Sequence, residues 1–509
     1  MNEFWQHLQK QAIAKPNEPA IGVFHKTLET AYTWKTLVNE VEQLGQRLQQ
    51  DQVKVLVLLA ENNPAWIVVD IACRLQGVIL IPLPSFFSKG QRQHVFATLG
   101  IDHVLCSDVA DLEKVSDVPL QPLGRLLGLS YFEVPEVIQT QFQNQSLLPP
   151  HTQKITFTSG STGAPKGVCL SDEQMMRVTD SLVAATMECH VERHLCVLPL
   201  ATLLENIAGV YVPMMAGAQV LVANAETIGF NGASGFSIHV FLDLLSRCRP
   251  NSMILIPQLL EGLVASCEAG WKMPESLRFI AVGGAKVSPA LLDKAWGFGL
   301  PVYEGYGLSE CASVVSLNSP KARKNGSLGK VLGHTSVEIE DSEIVITGPR
   351  FLGYIGETQS WQSNHKQHRF ATGDLGYLDD EGFLHFQGRK KNVLVSSFGR
   401  NVSPEWVEAE LNAQDVIAQS VVFGDGQAFC TALLSTYDPQ VSDAAIDSAV
   451  RCANQALPSY AQIQKWFRLP KPMTLGTGDD EDLLTSNGRP RRAQIGRHFE
   501  KQINALYQF

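Results

Sequence analysis

The chain has 509 residues, with 41 Lys+Arg against 51 Asp+Glu and a formal net charge of -10. At roughly 100–200 residues per domain, that length predicts a handful of units and a core stable without staples. Hydrophobic residues at 45% and charged residues at 18% exclude extensive disorder, and the acidic balance excludes a nucleic-acid binder working through a broad basic field. The ten cysteines form no CxxC pair, and most, such as Cys73, Cys196 and Cys430, sit in apolar runs. That spacing predicts reduced thiols in place of a disulfide framework or a zinc site. MNEFWQHLQK has acid and amide residues where a signal peptide would need an apolar core. No apolar stretch approaches the roughly 20 residues that span a bilayer. The expectation is a cytoplasmic protein with no transmembrane segment.

Thr33 is placed to cap a helix in which Leu37, Val41, Leu44 and Leu48 recur at helical spacing. Val53 to Leu59 is wholly apolar, as in a strand buried on both faces. Asn63-Pro64 supplies a cap and a first-turn proline, and Gly77 ends that helix before the apolar run Val78 to Leu83. Ser88 with Gln91 forms a capping-box pattern for a further helix closed by Gly100. This rhythm continues at Ile155–Thr158, Leu195–Leu198, Ser252–Ile256 and Phe279–Val282. It predicts an α/β fold with parallel sheet and crossover helices.

After Gly329 the texture changes to short strands and turns, including SVEIEDSEIVITG and GYLDDEGFLHF. A second change follows GRKKN at 388–392. There Pro404 to Leu411 reads as a helix, Ser420–Phe423 with Phe429–Leu434 as a hairpin, and the tail as helical and basic. A domain boundary is expected at 388–392. The acidic stretch 478–482 reads as an exposed loop.

Thr158 to Gly167, TSGSTGAPKG, is the most informative segment. Glycines let backbone N–H groups approach an anion, hydroxyls add donors, and the lysine adds a point charge. Walker A fails, because Pro165 stands where its second glycine belongs and Gly167 replaces the magnesium-binding hydroxyl. A GxSxG nucleophile elbow also fails, because Thr158 precedes Ser159 and the glycine spacing is wrong. On composition alone the segment would also pass for a flexible surface loop. It resembles the signature loop of the adenylate-forming (AMP-binding) superfamily, and the other motifs bring the chain nearest to the fatty acyl-CoA synthetases. The resemblance assigns Thr158, Ser159, Ser161, Thr162 and Lys166 to the β- and γ-phosphates of ATP.

The segment YEGYGLSE at 303–310 offers an aromatic face, a hydroxyl and a carboxylate in close sequence. A carboxylate near a triphosphate would repel it unless a cation intervened. The segment resembles the family's YGxTE motif, which implies Tyr306 against adenine, Ser309 at the α-phosphate and Glu310 holding Mg2+, with Glu304 and Gly307 in the same nucleotide site. VGGAKVS at 282–288 resembles the segment that walls the adenine and acyl pockets, implying Gly283, Gly284 and Ala285. Its simpler reading, a strand-to-helix turn capped by Ser288, is compatible with that role. At TGD, 372–374, the resemblance to the family implies Asp374 as acceptor for the ribose hydroxyls, with Arg389 of GRKKN adding a second ribose contact.

GRKKNVLVSSFGRNVSPEWVEAEL at 388–411 resembles the family's hinge and the segment after it. The resemblance implies a body over 1–388 and a small mobile α+β lid over 389–509, turning about Lys391 between two half-reactions. Ser397, Phe398 and Gly399 would then line the tunnel for the thiol. LLTSNGRPRR at 483–492 departs from the family: Arg489 stands where a catalytic lysine follows the glycine, and no lysine lies between Lys471 and Lys501. Arginine keeps the charge with a different shape and reach, so Arg489 is expected to act, with Arg491 or Arg492 in reserve. Arg489, Lys166 and Glu310 form the expected catalytic set.

LPLATLLEN at 198–206 resembles the LPLxHxxE segment of medium- and long-chain acyl-CoA synthetases, with Thr202 in place of the usual aromatic or histidine. No aspartate stands nearby to pair an amino group, which disfavours amino-acid substrates. Leu203, Leu204, Met214, Met215, Ile256, Leu259 and Leu260 suit an apolar acid. The resemblance implies ATP-dependent formation of acyl-AMP, then a thioester with CoA or with a carrier protein's phosphopantetheine. No nucleic-acid partner is expected, and a homodimer is compatible with this reading. Alternatives are an acyl-AMP ligase serving another acceptor, a luciferase-like or β-lactone-forming relative, and a nucleotide-binding homologue without turnover.

Overall fold

The side chain of Thr33 accepts from the Thr36 N–H while the Thr36 hydroxyl accepts from the Thr33 N–H, and this reciprocal cap starts the helix Trp34–Gln50. Leu37, Val41, Leu44 and Leu48 line its buried face. Asn63 caps the helix Pro64–Gln76 by accepting from the Trp66 N–H, and Gly77, at φ 70°, ends it in the left-handed conformation. The computed structural model describes residues 3–85, 87, 89–113, 120–135, 148–158, 165–231, 235–357, 369–473, 483–485 and 489–508. Ser88 and the acidic stretch 478–482 lie outside the described residues.

Among the described residues two large sheets carry the body. One has nine strands, and its centre runs parallel through Gln219–Val222, Arg193–Leu195, Ser252–Leu255, Phe279–Val282 and Val302–Tyr306. The other has eight, with Lys154–Thr158, Ile79–Pro82, Val55–Leu59 and His103–Cys106 parallel at its centre. Strands such as Val55–Leu59, buried at every position, show why these runs are apolar throughout. The expected strand at Leu195–Leu198 is displaced to Arg193–Leu195, because Leu198 leaves the sheet to donate its N–H to Glu205.

Ser336–Glu340, Glu343–Thr347, Arg369–Leu378 and Leu384–Arg389 form a separate four-stranded antiparallel sheet, ending in the hairpin of the last two. From Leu394 onward the chain packs cores of its own around the three-stranded sheet of Ile417–Phe423, Cys430–Thr436 and Ile463–Arg468. Helices Pro404–Asn412 and Asp443–Gln455 cover it, and Arg492–His498 and Glu500–Tyr507 close the tail. All ten cysteines are free, and nine are buried. Among the described residues no helix is long and apolar enough to cross a membrane.

A buried polar junction ties the two large sheets together. Lys154, at the start of the strand that leads to the glycine-rich loop, pairs with Asp70 of the helix Pro64–Gln76 at 2.6 Å. Asp70 also accepts from Asn206 at 2.9 Å and from the Tyr211 hydroxyl at 2.8 Å. Asn206 and Tyr211 belong to Glu205–Tyr211, a π-helical stretch that Gly209 permits: a Cβ there would sit 2.2 Å from the Glu205 carboxylate. Removing one member of such a pair strands a charge in the interior. Lys154→Met is expected to cost about 3–5 kcal/mol in denaturant unfolding, and Asp70→Asn added to it to recover part of that loss. A cost within about 1 kcal/mol would show that the junction is not what joins the sheets.

Candidate active site

Strands Lys154–Thr158 and Lys166–Leu170 pair antiparallel, and their register sets Thr158 opposite Lys166 at the two ends of the glycine-rich loop. Ser159, Ser161 and Thr162, together with the glycines between them, lie outside the described residues. The loop's last carbonyl, Pro165, accepts from His94 Nε2 at 3.1 Å, so that nitrogen carries the proton. Lys166 stands 3.3 Å from Glu357 and 4.7 Å from the centre of the Tyr354 ring. Tyr354 in turn donates its hydroxyl to Glu310 at 2.7 Å. Burial and the Glu310 charge push the Tyr354 hydroxyl far above its usual pKa, which keeps it a donor. Lysine, tyrosine and carboxylate thus stand in a row on three segments that are remote in sequence.

On the other side, Tyr306 ends the strand Val302–Tyr306 and donates its hydroxyl to Asp374 at 2.8 Å. The hairpin register places Asp374 opposite Arg389, whose Nε reaches the other carboxylate oxygen at 3.0 Å. Glu343 fixes this turn from outside, accepting from the Gly373 N–H at 2.8 Å and pairing with Lys390 at 2.8 Å. That lysine holds the Glu343 carboxyl below its usual range. Gly373, at φ 73°, supplies a left-handed turn that other residues adopt only under strain. Gly307 is required by contact: a Cβ would lie 1.6 Å from the Ser313 carbonyl.

A cavity of about 1610 Å³ joins these groups. Thr158, Lys166, Gly283, Gly284, Tyr306, Gly307, Ser309, Glu310, Arg389, Lys391 and Arg489 all line it. Arg489 comes from the C-terminal unit and donates through Nε to the Gly284 carbonyl. Burial and then the Arg389 charge pull the Arg489 pKa down to about 10, so it stays cationic at neutral pH. Burial, with Arg389 next, also lowers the Lys391 ammonium.

Several expected residues stand elsewhere. Ala285 is not on the cavity wall. Asp374 is buried, with one oxygen taken by Tyr306 and the other by Arg389, so it does not face the cavity. Glu304 points into the protein and accepts from the Val287 N–H at 3.2 Å, which supports the turn carrying Gly283 and Gly284. Arg492 is committed to Glu408 at 2.6 Å, and neither it nor Arg491 lines the cavity. Ser397, Phe398 and Gly399 are exposed and away from the wall, Phe398 at 77%. In this arrangement the C-terminal unit turns Arg489 inward and that hairpin outward.

The cavity continues along one face of the nine-stranded sheet. Phe279 and Ala281 alternate on one strand, with Gly283 just past its end, and Ser252 and Ile254 on its neighbour, with Ile256 just past its end; all six line it. Four residues of strand make this wall about 13 Å long. Leu203, Leu204 and Leu259 face it as expected, whereas Met214 and Leu260 belong to the core, and Met215 packs against that core. Leu182 and Val183, from the helix Asp172–Thr186, complete the opposite side. Thr202 lines the cavity with its hydroxyl turned back to the Pro199 carbonyl at 2.6 Å.

The fold is similar to that of o-succinylbenzoate coenzyme A synthetase (MenE) from Bacillus subtilis, solved in complex with ATP and magnesium ion. The TM-score is 0.72 at 22% identity, covering 96% of this chain and 98% of that one. Residues 8–355 match the AMP-binding enzyme family and residues 391–509 the AMP-binding enzyme C-terminal domain. The chain therefore belongs to the AMP-binding enzyme family, in the adenylate-forming superfamily. It is 28% identical to the long-chain-fatty-acid–CoA ligase FadD15 of Mycobacterium bovis, over 89% of this chain and 88% of that protein. Against the 2-succinylbenzoate–CoA ligase of Bacillus pumilus it is 25% identical, over 77% and 80%.

Burial raises the Glu304 carboxyl from its ordinary 4.5 to about 8. The folded protein then keeps a proton that the unfolded chain releases. The stabilisation from this group is complete below its unfolded pKa and is lost as pH rises toward the folded value. Between pH 5 and pH 8 the parent is expected to lose stability relative to Glu304→Gln, by an amount on the order of a few kcal/mol. Denaturant unfolding of both proteins at the two pH values measures it, and parallel pH profiles would contradict the buried acid.

Proposed function

We propose that the chain is an AMP-forming acid–CoA ligase acting on an apolar monocarboxylic acid. The observation that carries this reading is the continuity of one cavity, from the lysine, tyrosine and carboxylate row at Lys166–Glu310 to the apolar wall along the sheet. A nucleotide tail and an acid fit into it end to end. The Lys166 ammonium and the glycine-rich loop suit the β- and γ-phosphates, and Gly283, Gly284 and Tyr306 offer a flat wall for adenine. Glu310 fits a magnesium ion, since a carboxylate oxygen facing the cavity is the donor this hard cation takes. When bound there, Mg2+ offsets triphosphate charge. The ribose is assigned to Arg389, which lines the cavity, with Asp374 holding that arginine from behind.

In the first half-reaction a carboxylate oxygen bonds to the α-phosphorus while the bond to the β-phosphate breaks, and pyrophosphate leaves with the electron pair. Arg489 offsets the charge gathering at that centre, and the cavity walls hold the two reactants in line. In the second, the CoA thiolate bonds to the acyl carbon and AMP leaves. For this step the lid, residues 389–509, turns about Lys391 and brings Ser397, Phe398 and Gly399 to the thiol. The reaction is assigned to the cytoplasm.

The choice of an apolar acid over a dicarboxylate rests on charge. Among the described lining residues the lysines and arginines are Lys166, Arg389, Lys391, Lys471 and Arg489. The hinge and the lid bring four of these, and Lys166 stands at the phosphate loop; the sheet wall brings none. A second carboxylate lying along Phe279 and Ala281 would have no lysine or arginine to meet it. Pyrophosphate exchange into ATP, measured against a panel of acids, tests the reading. Aliphatic monoacids are expected to exceed succinylbenzoate by about tenfold or more in kcat/KM. In the same assay Arg489→Ala is expected to lose about 100–1,000-fold in rate, with Arg489→Lys retaining most of it. No exchange with any acid would overturn the function, and an Arg489→Ala rate equal to the parent's would remove Arg489 from it.

A further inference from the structure

The C-terminal unit brings two cations past the hinge to the cavity wall, and one of them is already engaged. Arg489 donates to the Gly284 carbonyl at the Tyr306–Asp374 end. Lys471 has no hydrogen bond or ion pair among the described residues. Its backbone is nevertheless fixed. Pro470 and Pro472 flank it and restrict the chain. On one side the Leu469 N–H donates to the Leu434 carbonyl at 2.7 Å. On the other, the Gln419 amide grips Met473 twice, accepting from its N–H at 2.8 Å and donating to its carbonyl at 3.0 Å. Leu469, Met473 and Leu484 share one apolar cluster, and Leu484 is bridged to Pro490, the neighbour of Arg489. The two cations therefore ride on one packed unit.

Among the described residues five cations line the cavity, against the carboxylates Glu192 and Glu310, in a chain whose net charge is -10. A cavity of that sign attracts anions. A lysine with no counter-ion among the described residues, on a pinned backbone at its wall, is a ready partner for one.

We propose that Lys471 binds a phosphate of a nucleotide substrate, either the triphosphate of ATP or the diphosphate of coenzyme A. This rests on the ligase reading above. It assigns to Lys471 a second charge from the C-terminal unit, beside the one that Arg489 brings to the α-phosphate. Titration calorimetry of ATP, and separately of coenzyme A, into the parent, Lys471→Met and Lys471→Arg tests it without requiring turnover. Lys471→Met is expected to weaken one of the two nucleotides about tenfold, and Lys471→Arg to restore most of the affinity. A loss confined to ATP identifies the triphosphate as the source, and a loss confined to coenzyme A identifies its diphosphate. Affinities for both within about twofold of the parent's would overturn the proposal and leave the ligase reading standing. A parent that binds neither nucleotide would bring down both.

Discussion

One carboxylate holds the site together. Asp374 accepts the Tyr306 hydroxyl from the nine-stranded sheet and pairs with Arg389, the last residue of the strand before the hinge. Arg489, arriving from the C-terminal unit, sits within the influence of the same charges. Without Asp374, the Arg389 and Arg489 charges would lose a main offset, leaving Glu405 and the Gly284 carbonyl to favour Arg489 inside. The pairing is dictated locally: the hairpin register sets Asp374 opposite Arg389, and Gly373 lets the chain turn tightly enough for Glu343 to clamp it.

The rest of the architecture brings chemically different groups to one chamber. A parallel sheet ends its strands on a common edge, and that edge is where open α/β folds place ligands. Here it carries Ile256, Gly283 and Tyr306. The antiparallel hairpin of the neighbouring sheet brings Thr158 and Lys166, the two ends of the glycine-rich loop, to the same place. The Asp70–Lys154 junction then couples that hairpin to the π-helical stretch beside the apolar wall. Charge is distributed to match, with cations at the glycine-rich loop, the hinge and the lid, and apolar side chains along the sheet.

Much of this was legible in the chain itself wherever the cause was local. Thr33, Asn63 and Gly77 end or begin their helices by their own side-chain or backbone chemistry, whereas TSGSTGAPKG stood out through its resemblance to a family's signature loop and not through composition alone. What escaped depended on distant partners. Tyr354 and His94 touch the glycine-rich loop across the fold, and no spacing rule links them to it. The apolar wall was only partly visible, because a strand buried on both faces is apolar everywhere and does not declare which face borders a cavity. Glu304 lies inside a nucleotide motif, yet its carboxyl supports a turn. The π-helical stretch hinges on Gly209 making room for Glu205, a contact no periodicity encodes.

The central claim is that the acid's own carboxylate attacks the α-phosphorus inside this shared chamber. Supplying an acid with heavy oxygen in both carboxylate positions, and following the label through one complete turnover, tests it directly. The account predicts one labelled oxygen in AMP, the other kept in the thioester, and none in pyrophosphate. Label appearing in pyrophosphate or inorganic phosphate, or AMP formed without label, would contradict it.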